Sequence, residues 1–178
     1  MSSQGSVEAV AASEAPKGGY KDRQSSITLK EDSGARGDYH AGKPNRHVSL
    51  LRYESLEELN HLKTGNDRIS PGELGENITT MGLKLAELNQ GTKLKFIGDK
   101  GDEGAAVIEL TGLRRAGDKL NNRRPGLKDQ CTVRDASGTE VGSRVGVFGV
   151  VAAGGLVKPG MSIIMIEPTG DLKLLEFL

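Results

Sequence analysis

The chain has 178 residues, and its 24 Lys and Arg are matched by 24 Asp and Glu. That balance argues against general nucleic-acid or membrane-surface binding, which needs a basic excess or stripe, and the absence of Trp leaves little on which to stack bases. The one cysteine, Cys131, excludes an intrachain disulfide and any cysteine-rich metal site.

No apolar run approaches the roughly eighteen residues of a membrane span. The start of the chain lacks the basic and apolar pattern of a signal peptide, so a cytoplasmic location is expected. The 25 glycines are about twice the usual share. Spread evenly, they predict many tight turns between short strands.

Residues 1–6 are polar and are expected to fray, leaving one domain over 7–178. Val7–Ala12 reads as a short strand. Ala15–Ser25, with Pro16, Gly18 and Gly19, reads as a loop presenting Lys21. Ser26–Lys30 alternates polar and apolar residues, a strand signal. Gly34–Pro44 is a glycine-rich loop carrying Asp38 and His40, and His47–Leu51 alternates again.

Ser55–Lys63 is the best helix candidate. Ser55 and Glu58 have capping-box spacing. Leu56, Leu59 and Leu62 share a face, and Gly65 is a natural stop. Ile69–Thr80 reads as a loop. Lys93–Ile97 and Ala105–Leu110 are predicted strands joined by a turn, and Asn121–Pro125 is basic and irregular. Cys131–Val133, Arg144–Val151 and Ser162–Ile166 complete the strands, with a turn at Val157–Gly160. Many short strands with one or two helices predict a mainly β fold, a barrel or sandwich.

Three blocks resemble a known family. Gly37-Asp38-Tyr39-His40-Ala41-Gly42 is similar to a G-D-x-H-x-G loop. Ser70-Pro71-Gly72-Glu73-Leu74-Gly75-Glu76-Asn77-Ile78-Thr79-Thr80 is similar to a P-G-x-x-x-E-N-I/L-T segment. The third block runs from Val107 through Leu113-Arg114-Arg115 to Arg124-Pro125-Gly126-Leu127, followed by Gly146–Val151 and Gly154–Gly160. Upstream, Gly19-Tyr20-Lys21 looks like a loop lysine of single-domain members. Over residues 7 to 166 the chain resembles the MOSC domain family, the molybdenum-cofactor sulfurase C-terminal domains.

The resemblance implies a β-barrel of the pyruvate-kinase-barrel type with a few peripheral helices and a pocket at one end. It also implies molybdenum cofactor, sulfur transfer through a persulfidable cysteine, or reduction of N-hydroxylated bases. Many members read L-R-x-P-C where this chain reads Leu113-Arg114-Arg115-Ala116-Gly117. Glycine at 117 cannot bind molybdenum or carry sulfur.

Each candidate residue has a plain and a functional reading. His40 is either a loop histidine satisfied by a carbonyl or a general acid or base. Asp38 either forms an Asx-turn or orients His40. Lys21 is a solvated charge or a base with a depressed pKa. Glu76 and Asn77 are loop caps or pocket-lining groups, with Thr79 beside them. Arg114, Arg115 and Arg124 are surface charge or forks for a carboxylate or phosphate. His47 and His61 read as structural and surface residues, and three unspaced histidines make no zinc site. Cys131 is a buried hydrophobe or a displaced thiol.

These residues are expected to converge on one concave site for an anionic or sulfur-containing small molecule, with the arginines and Lys21 gripping it. The resemblance makes molybdopterin or a sulfur-bearing metabolite the natural ligand. Two functions stand side by side: acid–base cleavage of a carbon–sulfur bond with Lys21 or His40 as base, a lyase-type reaction, and a non-catalytic binding or carrier module. Thiol chemistry is expected to be dispensable. No nucleotide, zinc or nucleophile-elbow motif competes.

Overall fold

A computed structural model describes residues 4–62 and 67–178. Its strands are β1 (Gly5–Lys17), β2 (Tyr20–Gln24), β3 (Ile27–Lys30), β4 (Gly34–Ala35), β5 (Val48–Arg52), β6 (Ile78–Met81), β7 (Lys93–Ile97), β8 (Val107–Leu113), β9 (Thr132–Arg134), β10 (Glu140–Ser143), β11 (Val147–Ala153), β12 (Gly155–Val157) and β13 (Ser162–Ile166). The helices are α1 (Tyr53–Leu62), α2 (Lys119–Arg123) and α3 (Leu127–Cys131), with a 3-10 turn at Leu85–Glu87. Strand outweighs helix by 42% to 14%, so the fold is mainly β as expected.

The main sheet runs β13-β7-β8-β11-β5-β6-β1-β2, and β13 also pairs with β1, which closes seven strands into a barrel. The pairings are antiparallel except β5 with β6. Alternation explains the barrel interior. Ile108 and Leu110 on β8, Val147 and Val151 on β11, and Leu94 and Phe96 on β7 all point inward and join one core. β5 is buried at four consecutive positions. Val48 and Leu50 enter the barrel core, whereas Leu51 joins a second core outside it with Leu56, Leu59, Leu74, Leu120 and Leu127. That second core is where α1, α2 and α3 pack, as the apolar face of Leu56 and Leu59 predicts.

Several expectations need correction. Gly5 and Ser6 do not fray, because they pair with Ile163 and Ser162 at the barrel seam. The region read as a loop around Lys21 is a hairpin: Lys17 pairs with Tyr20 across Gly18 and Gly19, both at positive φ. Pro16, which suggested a loop, falls where the register shifts between Ala12 and Lys17, a place that tolerates a missing N–H. The stretch read as a loop to Thr80 ends in β6, and the irregular Asn121–Pro125 begins inside α2.

Helix α1 starts at Tyr53, so Ser55 is a buried helical residue and not a cap. Glu58 instead accepts a 3.0 Å bond from Arg52 Nη2. Gly65, the predicted stop, lies outside the described residues, as does Lys63. Cys131 closes α3 and directly precedes β9, which opens at Thr132. Among the described residues no helix is long and apolar enough to cross a membrane.

Candidate functional site

The β1–β2 hairpin, the loop after β4, the turn before β6 and the end of β8 come together around Lys21 and Arg114. Lys21 sits on β2 and not on a loop, and its side chain is fully buried. Its Nζ donates to Asp38 Oδ2 at 2.7 Å. Asp38, also fully buried at the side chain, accepts the Ser13 N–H on Oδ1 and the His40 N–H on Oδ2, both at 3.1 Å. Burial pushes the Lys21 ammonium down to about 8, although Asp38 pulls the other way.

His40 stacks on Tyr39, with ring centroids 4.0 Å apart. Its Nδ1 is 3.9 Å from Asp38 Oδ2, too far for a hydrogen bond. Burial, reinforced by Lys21 and Lys43, pushes the imidazole down to about 4, so it is neutral at pH 7. Tyr39 lies between two ammonium groups, Lys21 at 5.2 Å and Lys43 at 5.9 Å from its ring centroid. Sequence reasoning passed over both Tyr39 and Lys43. Tyr39 fills the variable position of the G-D-x-H-x-G loop, and only its neighbours signalled it.

Arg114 follows β8. Its Nη2 donates to Leu74 O at 2.6 Å and its Nη1 to Val145 O at 3.4 Å. Among the described residues no carboxylate lies within ion-pairing distance of it. Burial lowers its pKa, and the nearby Glu76 charge opposes that. Gly75 makes the close approach possible: a Cβ there would sit 3.2 Å from Arg114 Nη2 and 2.5 Å from Gly19 O, at a φ of +82°.

Glu76 is completely buried. Its Oε1 accepts the Gly72 N–H at 2.6 Å and the Thr79 hydroxyl at 3.1 Å, while Oε2 has no hydrogen-bond partner among the described residues. Its charge reaches both Lys21 and Arg114. Asn77 ties strands together: Oδ1 accepts the Ser49 N–H and Nδ2 donates to Ala11 O, each at 3.1 Å. Lys21, Asp38, His40, Glu76 and Arg114 thus share one electrostatic neighbourhood, and Thr79 is held at its edge through Glu76.

The other arginines are occupied elsewhere. Arg115 is exposed, donates to Glu140 at 2.7 Å and lies 4.1 Å from the Phe177 ring centroid. Arg124 binds Glu73 Oε2 at 2.9 Å, Asp67 Oδ2 at 2.5 Å, and the backbone carbonyls of Asp67 and Arg68. His47 Nδ1 accepts the Val151 N–H at 3.2 Å, and exposed His61 contacts Glu57 O. Ser13, which holds Asp38, lines a surface cavity of about 310 Å³ together with Glu14, Gln24, Thr28 and Arg36.

Cys131 is fully buried in the second core, and burial pushes its thiol up to about 12. Gly117 is exposed, with nothing within 4 Å of where a Cβ would stand. Molybdenum ligation through a protein thiolate does not fit this arrangement, because the exposed position has no side chain and the one thiol is buried and protonated. Among the described residues no three His, Cys, Asp or Glu side chains cluster as a metal site.

The closed seven-stranded barrel carries a buried lysine–aspartate pair and, near it, an arginine with no carboxylate in ion-pairing range among the described residues. Residues 37–164 match the MOSC domain model, and the chain belongs to the MOSC domain family. Its fold is similar to that of the YuaD protein of Bacillus subtilis, at 18% identity over 93% of this chain and 97% of that one, with a TM-score of 0.70. YiiM of Escherichia coli is similar at 18% identity over 94% and 72% of the two chains, TM-score 0.64. YiiM of Geobacillus stearothermophilus follows at 15% over 93% and 73%, TM-score 0.58. No curated protein matches the sequence.

Proposed function

We propose that this MOSC domain binds a small anion at Arg114 and Lys21, and that the neutral form of Lys21 serves as the base in acid–base chemistry at a carbon–sulfur bond. The observation that carries the reading is Arg114: a half-buried guanidinium with backbone carbonyls as its partners and, among the described residues, no carboxylate in ion-pairing range. A fork with spare N–H donors and no directly paired carboxylate among the described residues suits a carboxylate, sulfate or phosphate. Family membership makes pterin phosphates and sulfur-bearing metabolites the ligands to try first.

Lys21 supplies the base. With its pKa near 8, about a tenth of it is neutral at pH 7. The neutral amine would take a proton from the carbon next to the one bearing sulfur. That C–H bond breaks, its electron pair forms a carbon–carbon double bond, and the C–S bond breaks with its pair leaving on sulfur. No oxidant, metal or protein thiol enters the balance. Neutral His40 would then protonate nothing at pH 7, and it would act as an acceptor beside the ligand.

A second reading, a binding or carrier module without catalysis, draws on the complete burial of the Lys21 and Asp38 side chains. A base that no substrate can touch does no chemistry.

Both readings are tested by titrating the protein with inorganic phosphate, sulfate, pterin phosphates and S-substituted cysteines, following thermal stability and thiol release. Saturable stabilisation that disappears in Arg114→Gln supports the anion site. Thiol release that Lys21→Met abolishes selects the enzyme, and binding without release selects the module. No stabilisation by any of the four ligand classes would overturn the anion site.

A further inference from the structure

We infer that the C-terminal segment Leu175–Leu178 is a positioning element that holds Arg114 in its ligand-binding orientation, with Phe177 the residue that sets its grip. The inference rests on the anion-site reading of Arg114.

The need for such an element arises in β8. Strand β7 pairs with β8 as far as Lys93 opposite Glu109, and Gly91 N–H reaches Leu110 O at 2.9 Å. Beyond Leu110 that edge of β8 would leave backbone groups unpaired beside the site. The segment Glu176–Leu178 takes the vacated edge. Leu113 N–H donates to Glu176 O at 2.7 Å, and Leu178 N–H donates to Leu113 O at 3.2 Å. Leu113 and Phe177 form a parallel bridge.

The segment is anchored before it arrives. Leu175 is 4% exposed and belongs to the barrel core, and its N–H reaches Leu88 O at 3.3 Å. The side chain of Leu178 occupies space that a Cβ at position 112 would need: the gap is 2.4 Å, and Glu176 O is 2.8 Å away on the same side. Only glycine at 112 lets the terminus lie against β8.

Arg114 is therefore braced on both sides. Leu113 before it is bonded to the terminus at N–H and C=O. Arg115 after it lies over the Phe177 ring, its centroid 4.1 Å from the guanidinium carbon, and is tied to Glu140. Arg114 itself donates its N–H to Gly146 O at 2.9 Å and accepts from Ser143 Oγ. None of the terminal residues touches the guanidinium of Arg114. They act by fixing the backbone from which it projects, and geometry at a bidentate anion clamp has to hold within about half an ångström.

The experiment uses the 178-residue chain, Phe177→Ala, Phe177→Tyr, a chain ending at Glu176, and Arg114→Gln. Each is titrated with inorganic phosphate and with sulfate by calorimetry, with the Arg Nε–Hε resonances followed by NMR and folding checked by circular dichroism. Wild type binds, and Arg114→Gln does not. Phe177→Ala and the chain ending at Glu176 bind about tenfold more weakly while remaining folded, the size of loss that small misplacements of a clamp produce. Phe177→Tyr, which keeps the stacking ring, restores wild-type affinity, and the Arg114 resonance moves in the two weakened variants.

Wild-type affinity in Phe177→Ala, with Arg114→Gln inactive, would overturn the positioning role and leave the anion site standing. Wild type that binds neither anion would overturn both. Should the shortened chain fail to fold, Phe177→Ala alone decides, since Phe177 contributes no side chain to either core.

Discussion

Lys21 Nζ and Asp38 Oδ2 are 2.7 Å apart with neither side chain exposed, and two backbone N–H groups share the same carboxylate. A buried pair of this kind holds the β1–β2 hairpin against the loop after β4. Its energetic signature is asymmetric, because removing one partner strands the other.

Asp38→Ala is expected to lower unfolding free energy by about 3–5 kcal/mol, since it leaves a buried ammonium and two N–H groups without an acceptor. Lys21→Met should cost a comparable amount by stranding the carboxylate. The double variant should lose much less than the sum of the two, and urea denaturation of all four proteins measures the coupling.

Lys21 also predicts a pH profile. Its pKa is 10.5 when unfolded and about 8 when folded, so above pH 8 the unfolded chain binds more protons and stability rises with pH. Cys131 opposes this from pH 9, where the unfolded thiol begins to ionise while the folded one holds its proton to about 12. Denaturation midpoints should rise from pH 8 to 9 and flatten above it. Cys131→Ala should extend the rise toward pH 10, and Lys21→Met should remove it.

On the acid side His40 governs. Its folded pKa of about 4 lies below the ordinary 6.5, so the unfolded state takes up the proton first on acidification. Stability contributed by neutral His40 is complete above pH 6.5 and is lost progressively down to about pH 4. His40→Gln should flatten the stability curve in that window, and an unchanged slope would assign the acid sensitivity to another group.

Gly117→Cys should fold like wild type, because open space surrounds the position. Its new thiol should react with iodoacetamide within minutes at pH 8, whereas Cys131 should react only as the protein unfolds. Mass spectrometry of the alkylated peptides reads both. Cys131→Ser should leave anion binding unchanged and cost about 1–3 kcal/mol of stability, because a hydroxyl replaces a buried apolar sulfur.

Much of the barrel was legible from short apolar or alternating runs: β3, β5, β7 and β13 lie where those runs place them. The hairpin at Lys21 was not, since Pro16 and two glycines read as a loop and nothing local announces a tolerated register shift. The Ser55 capping box misled because β5 runs straight into α1 at Tyr53, and the tertiary join overrode the local signal. Around Lys21, the residues Asp38, His40, Glu76 and Arg114, and Lys21 itself, were all named from the sequence, because each lies in or beside a motif. Which arginines pair with carboxylates was not readable. Arg115 and Arg124 differ from Arg114 only in the carboxylates that long-range folding brings to them, Glu140 to one and Asp67 and Glu73 to the other.

The barrel seam joins Gly5 to Ile163 and Ser6 to Ser162. Strand β1 meets β6 over Ser6–Val10 and β2 over Val10–Lys17, so only its first residues wait for the distant β13. During synthesis, the start of β1 at Gly5 and Ser6 must therefore wait, with that short stretch of edge unpaired, for β13. Closure of so distant a contact is intrinsically slow and leaves an interval in which that edge can pair with another chain. That short stretch of edge is protected only once β13 has arrived.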